Sequence, residues 1–238
     1  MKKFMITIND ANGMVAINIE PDARSNYAAS ICILRTSRRA GGCPGVISSL
    51  RAAGFDSLAV ILHLRDNFFA DEPLNKAVSL CKRGEPHAEL EQLCLATMDD
   101  RLSIAAIQDD QNVQKCEDPN YHKIFNILYT VSRDLDIFNT FKVETLMECR
   151  IVSVDAAARG RGMAKELIKR SIELALEHEF RLFKVDATGH YSQRICRSLG
   201  MAELKKVSYE DYTDELGEPI FRIPAPHHAL CIMVKELP

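Results

Sequence analysis

The clearest pattern of apolar and polar positions lies between residues 148 and 178. It begins with Ile151–Val154, a short and largely β-branched run that is typical of a buried strand. After a loop with two glycines, apolar residues recur at helical spacing with charged residues between them: Leu167, Ile168, Ile172, Ala175 and Leu176. The pattern predicts a strand, a tight glycine loop and an amphipathic helix in direct succession.

Strands and helices are predicted to alternate along much of the remaining chain. Two β-rich runs, Phe4–Ile8 and Met14–Ile19, predict a hairpin with Asn12 and Gly13 in its turn. Further strands are predicted at Val46–Ala52, Ser103–Ile107, Arg181–Val185, Ala202–Tyr209 and Ala229–Glu236. Helices are predicted from Phe55, over Leu74–Cys81, Ala88–Met98 and Asn120–Leu135, and from Tyr191 to a glycine stop at Gly200. This order favours an α/β or α+β domain around a mixed sheet.

The N-terminal part of the chain differs in character from the rest. The stretch from the hairpin to Gly45 is basic, contains glycines and shows no periodicity, which predicts a loop or linker. We therefore interpret residues 1–45 as an appendage made of a hairpin and a linker. Residues 46–238 then form the main domain.

Composition excludes several classes of protein. Of the 238 residues, 47% are apolar, which is enough for a sizeable core, and a net charge of -3 argues against nucleic-acid binding through general basicity. The eight cysteines include no C-x-x-C pair, so we expect reduced thiols and neither a disulfide framework nor a metal site. No apolar run approaches the roughly 18 residues of a membrane span. We expect a cytoplasmic protein with no membrane or nucleic-acid partner.

The glycine loop predicts a phosphate site. A strand, a glycine loop and a helix in succession bring free backbone N–H groups and the positive end of the helix dipole to one point. The P-loop pattern fails because no Gly-Lys-Ser/Thr closes the loop, and the dinucleotide pattern fails because Lys165 occupies its third glycine position. A turn that merely joins the strand to the helix is the alternative. The spacing Arg-x-x-Gly-x-Ala, from Arg159 to Ala164, resembles the pyrophosphate loop of the GCN5-related N-acetyltransferases.

Five stretches together resemble one branch of that superfamily, the insect-type arylalkylamine N-acetyltransferases. They are FFADEPLN (68–75), CEDPNYHK (116–123), the strand and loop of 150–164, GHYSQRICRSLGM (189–201) and APHHALCIMVKEL (225–237). The resemblance spans residues 46–238 and is most specific at Asp-Glu-Pro-Leu-Asn. It implies a single mixed α/β domain and a monomer. Acetyl-CoA would be the donor, and small amines such as dopamine, tyramine, octopamine or serotonin the acceptors.

The resemblance also implies roles for polar residues. An alkylamine with a pKa of about 10.4 is protonated at neutral pH, so a base must remove its proton before it attacks a thioester. Glu72 takes that role by resemblance, and Thr188 and Ser192 would supply hydroxyls near the departing thiolate. The alternatives are a solvated helix-end acid for Glu72 and an ordinary helix cap for Ser192.

The donor and acceptor contacts follow from the same resemblance. Backbone groups of the strand would hold the pantetheine arm, and the glycine loop would hold the pyrophosphate: Val152, Ser153, Val154, Arg159, Gly160, Arg161, Gly162, Met163 and Ala164. Aromatic side chains would contact the acceptor ring, with ordinary core packing as the alternative: Phe68, Phe69 and Tyr191.

One strand of the superfamily is missing from the sequence pattern. The superfamily has a second and third strand before the helix that here begins near Asp118. Ser103–Ile107 supplies the second, but Asp109–Lys115 is too short and too polar for a turn and a third. Direct closure of the gap or a split sheet is favoured over insertion of the leader.

Two other functions stay open at this point. The same donor could serve another acceptor, such as a polyamine. A variant with a damaged sheet could instead bind CoA weakly or act only as an interaction module.

Overall fold

The computed structural model describes residues 4–9, 14–19, 30–38, 57–99 and 116–238. Its strands are β1 (Phe4–Asn9), β2 (Met14–Ile19), β3 (Ser30–Arg38), β4 (Thr145–Val154), β5 (Leu182–Ala187), β6 (Ala202–Ser208) and β7 (Ala229–Glu236). Its helices are α1 (Ser57–Asn67), α2 (Pro73–Ala77), α3 (Ala88–Asp99), α4 (Pro119–Arg133), α5 (Ile137–Thr140), α6 (Met163–Glu177) and α7 (His190–Ser198). A 3₁₀ turn, Ala156–Ala158, lies between β4 and α6.

The seven strands form one mixed sheet in the order β1-β2-β3-β4-β5-β7-β6. The pair β4–β5 is parallel, and every other neighbouring pair is antiparallel. Helices pack on both faces, which confirms the predicted fold class. The prediction for α2 was too long, because the helix ends at Ala77.

The leader belongs to this sheet. The two strands of the predicted hairpin are confirmed, with Asn9 paired to Met14, whereas its predicted turn at Asn12 and Gly13 lies outside the described residues. The linker prediction is wrong for Ser30–Arg38, which forms β3 and pairs with the whole of β4, from Ser30 opposite Val154 to Arg38 opposite Thr145. The prediction weighed the basic residues after position 34 and overlooked Ser-Ile-Cys-Ile-Leu before them. Within that run, the side chains of Cys32 and Leu34 are buried.

The place beside β4 is therefore taken by a strand from the leader. The favoured prediction, direct closure or a split sheet, is wrong, because β3 supplies the backbone partners that this edge of β4 would otherwise lack. The two predicted hairpin strands lie further out in the sheet. The predicted strands Val46–Ala52 and Ser103–Ile107, the segment Asp109–Lys115 and the domain boundary at residue 45 lie outside the described residues.

Two apolar cores cover the two faces of the sheet. On one face, α4 buries a stripe that includes Ile124, Ile127 and Val131 against α1, α2 and β7. On the other, α6 packs against β3 and β5, although Leu176, predicted to face inward, is exposed. Among the helices described, none combines the length and apolar character that crossing a membrane requires.

The sheet opens in its middle, between β4 and β5. These strands pair only from Met147–Phe183 to Cys149–Val185. The register of β4 against β3 then shifts at Arg150, a bulge that bends a strand locally. Beyond the bulge, β4 continues to Val154 with no described strand on its β5 side. The opening leaves strand-edge N–H and C=O groups available at the centre of the molecule.

Candidate active site

A cavity of about 1330 Å³ occupies the opening between β4 and β5. Segments that are distant in the sequence line it: the turn before α2, the second half of β4, the glycine loop, the end of β5 and the start of α7. It brings together nearly all the predicted site residues: Glu72, Thr188, Ser192, Val152, Ser153, Val154, Arg159, Gly160, Gly162, Met163, Ala164, Phe68, Phe69 and Tyr191. Arg161 is the predicted site residue that does not line it.

Glu72 is the N-cap of α2, and its side chain is not solvated. One carboxylate oxygen, Oε2, accepts a hydrogen bond from the Asn75 backbone N–H at 2.7 Å. The other, Oε1, is buried and finds no hydrogen-bond partner in the described part of the chain. Burial raises the pKa of Glu72, while the amides of Asn75 and Leu74 and the Thr188 hydroxyl oppose the shift. The solvated-acid interpretation is wrong, and Glu72 is a stronger base than an exposed carboxylate.

Thr188 directly follows β5, and Ser192 lies in the first turn of α7. The Ser192 hydroxyl donates to the Gly189 carbonyl at 2.8 Å, and Gly189 is the N-cap of α7, so the capping interpretation of Ser192 is wrong. The backbone of Thr188 is fixed by Tyr209, whose buried hydroxyl donates to the Thr188 carbonyl oxygen at 2.7 Å. Sequence reasoning missed Tyr209, since a tyrosine at the end of a strand carries no local sign of this contact.

Gly189 allows three parts of the site to converge. A Cβ atom at this position would lie 3.0 Å from Nδ1 of His227 and 3.3 Å from Cγ of Pro73. His227 Nδ1 accepts the backbone N–H of His190 at 3.2 Å, which fixes the imidazole against the start of α7. Burial, aided by nearby positive groups, lowers the pKa of His227 and favours this neutral acceptor form. The absence of a side chain at Gly189 therefore helps to position Pro73 and, next to it, Glu72.

We expect Gly189→Ala to lower kcat/KM for the amine by about 10- to 100-fold, because displacements of less than an ångström at reacting groups are costly. Affinity for CoA should stay near that of the parent, since the donor loop is elsewhere in the cavity. Steady-state kinetics and calorimetry with CoA measure the two effects. Gly217→Ala, where an added Cβ meets no described atom within 4 Å, is the control for a general loss of stability. Parent-like kinetics in Gly189→Ala would contradict the positioning role.

The side of the cavity that is predicted to hold the donor includes the open backbone edge of β4. The Ser153 hydroxyl is 2.9 Å from Nε2 of His63 on α1, so this side chain is engaged with the protein and holds β4 to that helix. Between Val152 and Val154, the N–H and C=O groups that point away from β3 line the open edge and can pair with a ligand that binds as an added strand, whereas the Val154 carbonyl already accepts from Arg159.

The glycine loop is shaped as an anion cradle. Gly160 and Gly162 have φ of +77° and +80°, and an added Cβ at either would meet no described atom within 4 Å. Gly162 is the N-cap of α6 and gives it no side-chain cap, so the first N–H groups of this helix stay open. A phosphate can therefore approach the amides closely.

Two arginines of the loop have partners within the protein. Arg159 donates from Nη2 to Asp71 at 2.8 Å and from Nε to the Val154 carbonyl at 3.1 Å. Arg161 donates to the Ala157 carbonyl at 3.2 Å. Arg159 therefore links the loop to Asp71, the residue before Glu72. Since both arginines are engaged, the groups of the loop that can bind an anion are its backbone N–H groups.

We expect Gly162→Val to weaken CoA binding by about tenfold or more, because the branched side chain blocks amides that bond to a charged group. Gly217→Val is a matched control, since Gly217 has φ of +81° and equally open space but lies in the loop between β6 and β7. Both variants carry the same backbone strain, so similar melting temperatures with different CoA affinities support the cradle. Equal CoA affinity in Gly162→Val and the parent would contradict it.

The predicted aromatic contacts divide into core and surface. Phe69 is only 1% exposed and belongs mainly to the core, with the partly buried Phe68 edge-on to it at 6.3 Å between ring centroids. Tyr191 is 58% exposed at the mouth of the cavity, edge-on to His227 at 5.6 Å. Phe68 and Tyr191 therefore offer the more accessible rings to a ligand.

Comparisons with known proteins agree with this geometry. No protein-family model matches the chain. The structure of arylalkylamine N-acetyltransferase 2 from Aedes aegypti is 36% identical, covers 86% of this chain and 99% of its own, and superposes with a TM-score of 0.71. Mosquito arylalkylamine N-acetyltransferase like 5b is 18% identical over 87% of this chain and 100% of its own, with a TM-score of 0.63. Drosophila melanogaster polyamine N-acetyltransferase is 20% identical over 76% of this chain and 95% of its own, also with a TM-score of 0.63.

The last two share the fold, whereas the first shares both fold and sequence over nearly its whole length. The structure places a buried carboxylate, two hydroxyls and an open strand edge in one cavity. The chain belongs to the arylalkylamine N-acetyltransferases of the GCN5-related superfamily and is an acyltransferase.

Proposed function

We propose that this enzyme transfers the acetyl group of acetyl-CoA to the primary amine of an arylalkylamine such as dopamine, tyramine, octopamine or serotonin. One observation carries the proposal: a buried glutamate with an unpartnered oxygen shares a cavity with an open strand edge and a glycine loop. A base, a site for a thioester arm and a site for phosphate are the parts that this transfer needs.

Glu72 accepts a proton from the substrate ammonium. An arylalkylamine with a pKa of about 10.4 binds mostly as the cation, which the Glu72 carboxylate attracts. Loss of one N–H proton to Glu72 gives the free amine, which forms a C–N bond to the acetyl carbon as the C–S bond breaks. The nitrogen then loses its second proton and the CoA thiolate gains one, which leaves the amide and the CoA thiol, while the proton on Glu72 passes to solvent. The raised pKa of Glu72 reduces the difference between its pKa and that of the amine, which favours the proton transfer.

The remaining residues hold acetyl-CoA and stabilise the negative charge that develops on the carbonyl oxygen and the sulfur. Acetyl-CoA supplies an acyl group activated as a thioester. The open edge of β4 from Val152 to Val154 suits its amide-containing arm, and the cradle of Gly160 and Gly162 suits its pyrophosphate. A backbone N–H at the bulge in β4 would stabilise the carbonyl oxygen as it gains charge. The hydroxyls of Thr188 and Ser192 line the same space. To donate to the departing thiolate, the Ser192 hydroxyl would turn away from the Gly189 carbonyl that accepts it here.

An assay of thiol release over a panel of amines tests the proposal. We expect turnover with tyramine, dopamine, octopamine and serotonin to exceed turnover with spermidine. Release with spermidine and not with aromatic amines would assign a polyamine acceptor. Stabilisation by acetyl-CoA in a thermal-shift measurement without any thiol release would indicate a non-catalytic CoA-binding protein.

A further inference from the structure

Three charged side chains meet in the floor of the cavity, where sequence reasoning named none. Lys184 of β5 is opposite Glu148 of β4 in the register, and both are buried. Its ammonium lies 2.5 Å from Glu148 Oε1 and 2.7 Å from Asp186 Oδ2. All three side chains line the cavity that holds Glu72.

One carboxylate oxygen of Asp186 makes no hydrogen bond with the described residues. Oδ2 accepts from Lys184 at 2.7 Å and from the Ser132 hydroxyl at 3.4 Å. Oδ1 lies 2.7 Å from the same ammonium as part of the ion pair, and it makes no hydrogen bond with the residues described. Buried carboxylate oxygens are rarely left unsatisfied, and a missing ligand is one physical reason. Glu72 Oε1, in the same cavity, is also buried without a hydrogen-bond partner among the residues described.

Asp186 lies near the end of β5, two residues before Thr188. Side chains at alternate positions of a strand share a face, so Asp186 and Thr188 point the same way, about 7 Å apart along the strand. Thr188 lies beside Glu72. Glu72 and Asp186 line one cavity, so a molecule with its amine at Glu72 and a short arm carrying a six-membered ring would place the far side of that ring near Asp186.

The charges around Asp186 favour a neutral partner. Burial raises the pKa of Asp186 and the Glu148 charge acts in the same direction, whereas Lys184 and Arg150 oppose it. Two carboxylates thus face two cations, and an added ammonium would leave an uncompensated buried charge. The side chain of Asp186 is 20% exposed and lines the cavity, and its terminal torsion is soft enough to let the carboxylate adjust to a ligand.

We propose that Asp186 binds a hydroxyl group on the ring of the acceptor, at the opposite end from its amine. The proposal rests on the proposed function and makes it more specific. It separates hydroxylated arylalkylamines from the same amines without the hydroxyl.

Tyramine and 2-phenylethylamine differ only in that hydroxyl and provide the test. We expect the parent enzyme to favour tyramine in kcat/KM by about tenfold or more, since a hydrogen bond to a charged group is made with one amine and lost with the other. Asp186→Ala should bring the ratio close to one by lowering the tyramine value alone. Asp186→Asn keeps the shape and an acceptor oxygen, so it should retain part of the preference.

If Asp186 has only a structural role, Asp186→Ala would lower kcat/KM for both amines equally and leave their ratio unchanged. That result would overturn the proposal. A preference for putrescine over tyramine that Asp186→Ala abolishes would also overturn it, because the site would then take an ammonium. Calorimetry with the two amines in the presence of CoA needs no turnover. Tighter binding of tyramine that depends on Asp186, without thiol release, would support this site and contradict the acetyl transfer.

Discussion

Glu72→Gln is expected to lower kcat with arylalkylamines by about 10²–10⁴-fold at neutral pH, the usual contribution of a general base. The amide oxygen of glutamine can still accept the Asn75 N–H, so the cap of α2 and the fold should persist. Affinity for acetyl-CoA should be nearly that of the parent, because Glu72 lies outside the donor cradle. Thiol release and calorimetry measure the two quantities.

Asp118→Asn is a matched control for this substitution. Asp118 is also a carboxylate N-cap directly before a proline, and it accepts the Asn120 N–H at 2.8 Å, but it does not line the cavity. We expect this variant to turn over like the parent. If Glu72→Gln also turns over like the parent, the base lies elsewhere.

The pH dependence of the rate should follow from the same carboxylate. The base works only when ionised, and the raised pKa of Glu72 moves the fall in kcat/KM on the acid side to higher pH than an exposed glutamate would give. In Glu72→Gln that acid limb should disappear. Part of the lost rate should return at high pH, where more of the amine is already neutral.

Deleting residues 1–40 is expected to abolish the cooperative unfolding transition. The deletion removes β3, whose nine residues pair along β4, and exposes this edge in the middle of the sheet. It also removes Cys32 and Leu34, 0% and 2% exposed, from the core against α6. Loss of a whole buried strand exceeds the roughly 5–15 kcal/mol that stabilises a typical domain. Thermal unfolding followed by circular dichroism measures the effect.

A shorter deletion separates the hairpin from β3. Deleting residues 1–22 removes β1 and β2 but keeps all the pairs between β3 and β4. We expect it to lower the melting temperature while leaving a cooperative transition and acetyl-CoA binding. Parent-like melting of the 1–40 deletion would show that β3 is dispensable.

Elements with a local cause could be predicted from the sequence. The strand Ala229–Glu236 has the predicted bounds, and α3 differs from its prediction by one residue. The predicted glycine loop is present, and Gly160 and Gly162 in it have positive φ, which glycine adopts readily. Periodicity and the need for positive φ are properties of a few consecutive residues, so a short window reveals them.

For the candidate site, the sequence predicted which residues take part but not the environment of each one. Resemblance identified Glu72, Thr188 and Ser192, and the fold brings them into one cavity. A carboxylate before a proline looks the same in sequence whether it is solvated or buried. The environment of Glu72 depends on Thr188 and on the converging contacts around Gly189, which come from other parts of the chain.

Tertiary structure alone decided the place of β3 and the partners of Asp186. Apolar and β-branched residues at positions 30–34 are compatible with a strand but do not say which edge it joins, because every residue offers the same N–H and C=O groups. The partner is chosen by which side chains become buried when distant segments meet, as Cys32 and Leu34 do against α6. Likewise, Asp186 becomes part of a charged cluster only because β4 sets Glu148 opposite Lys184. Such contacts join residues far apart in the chain, and no local pattern records them.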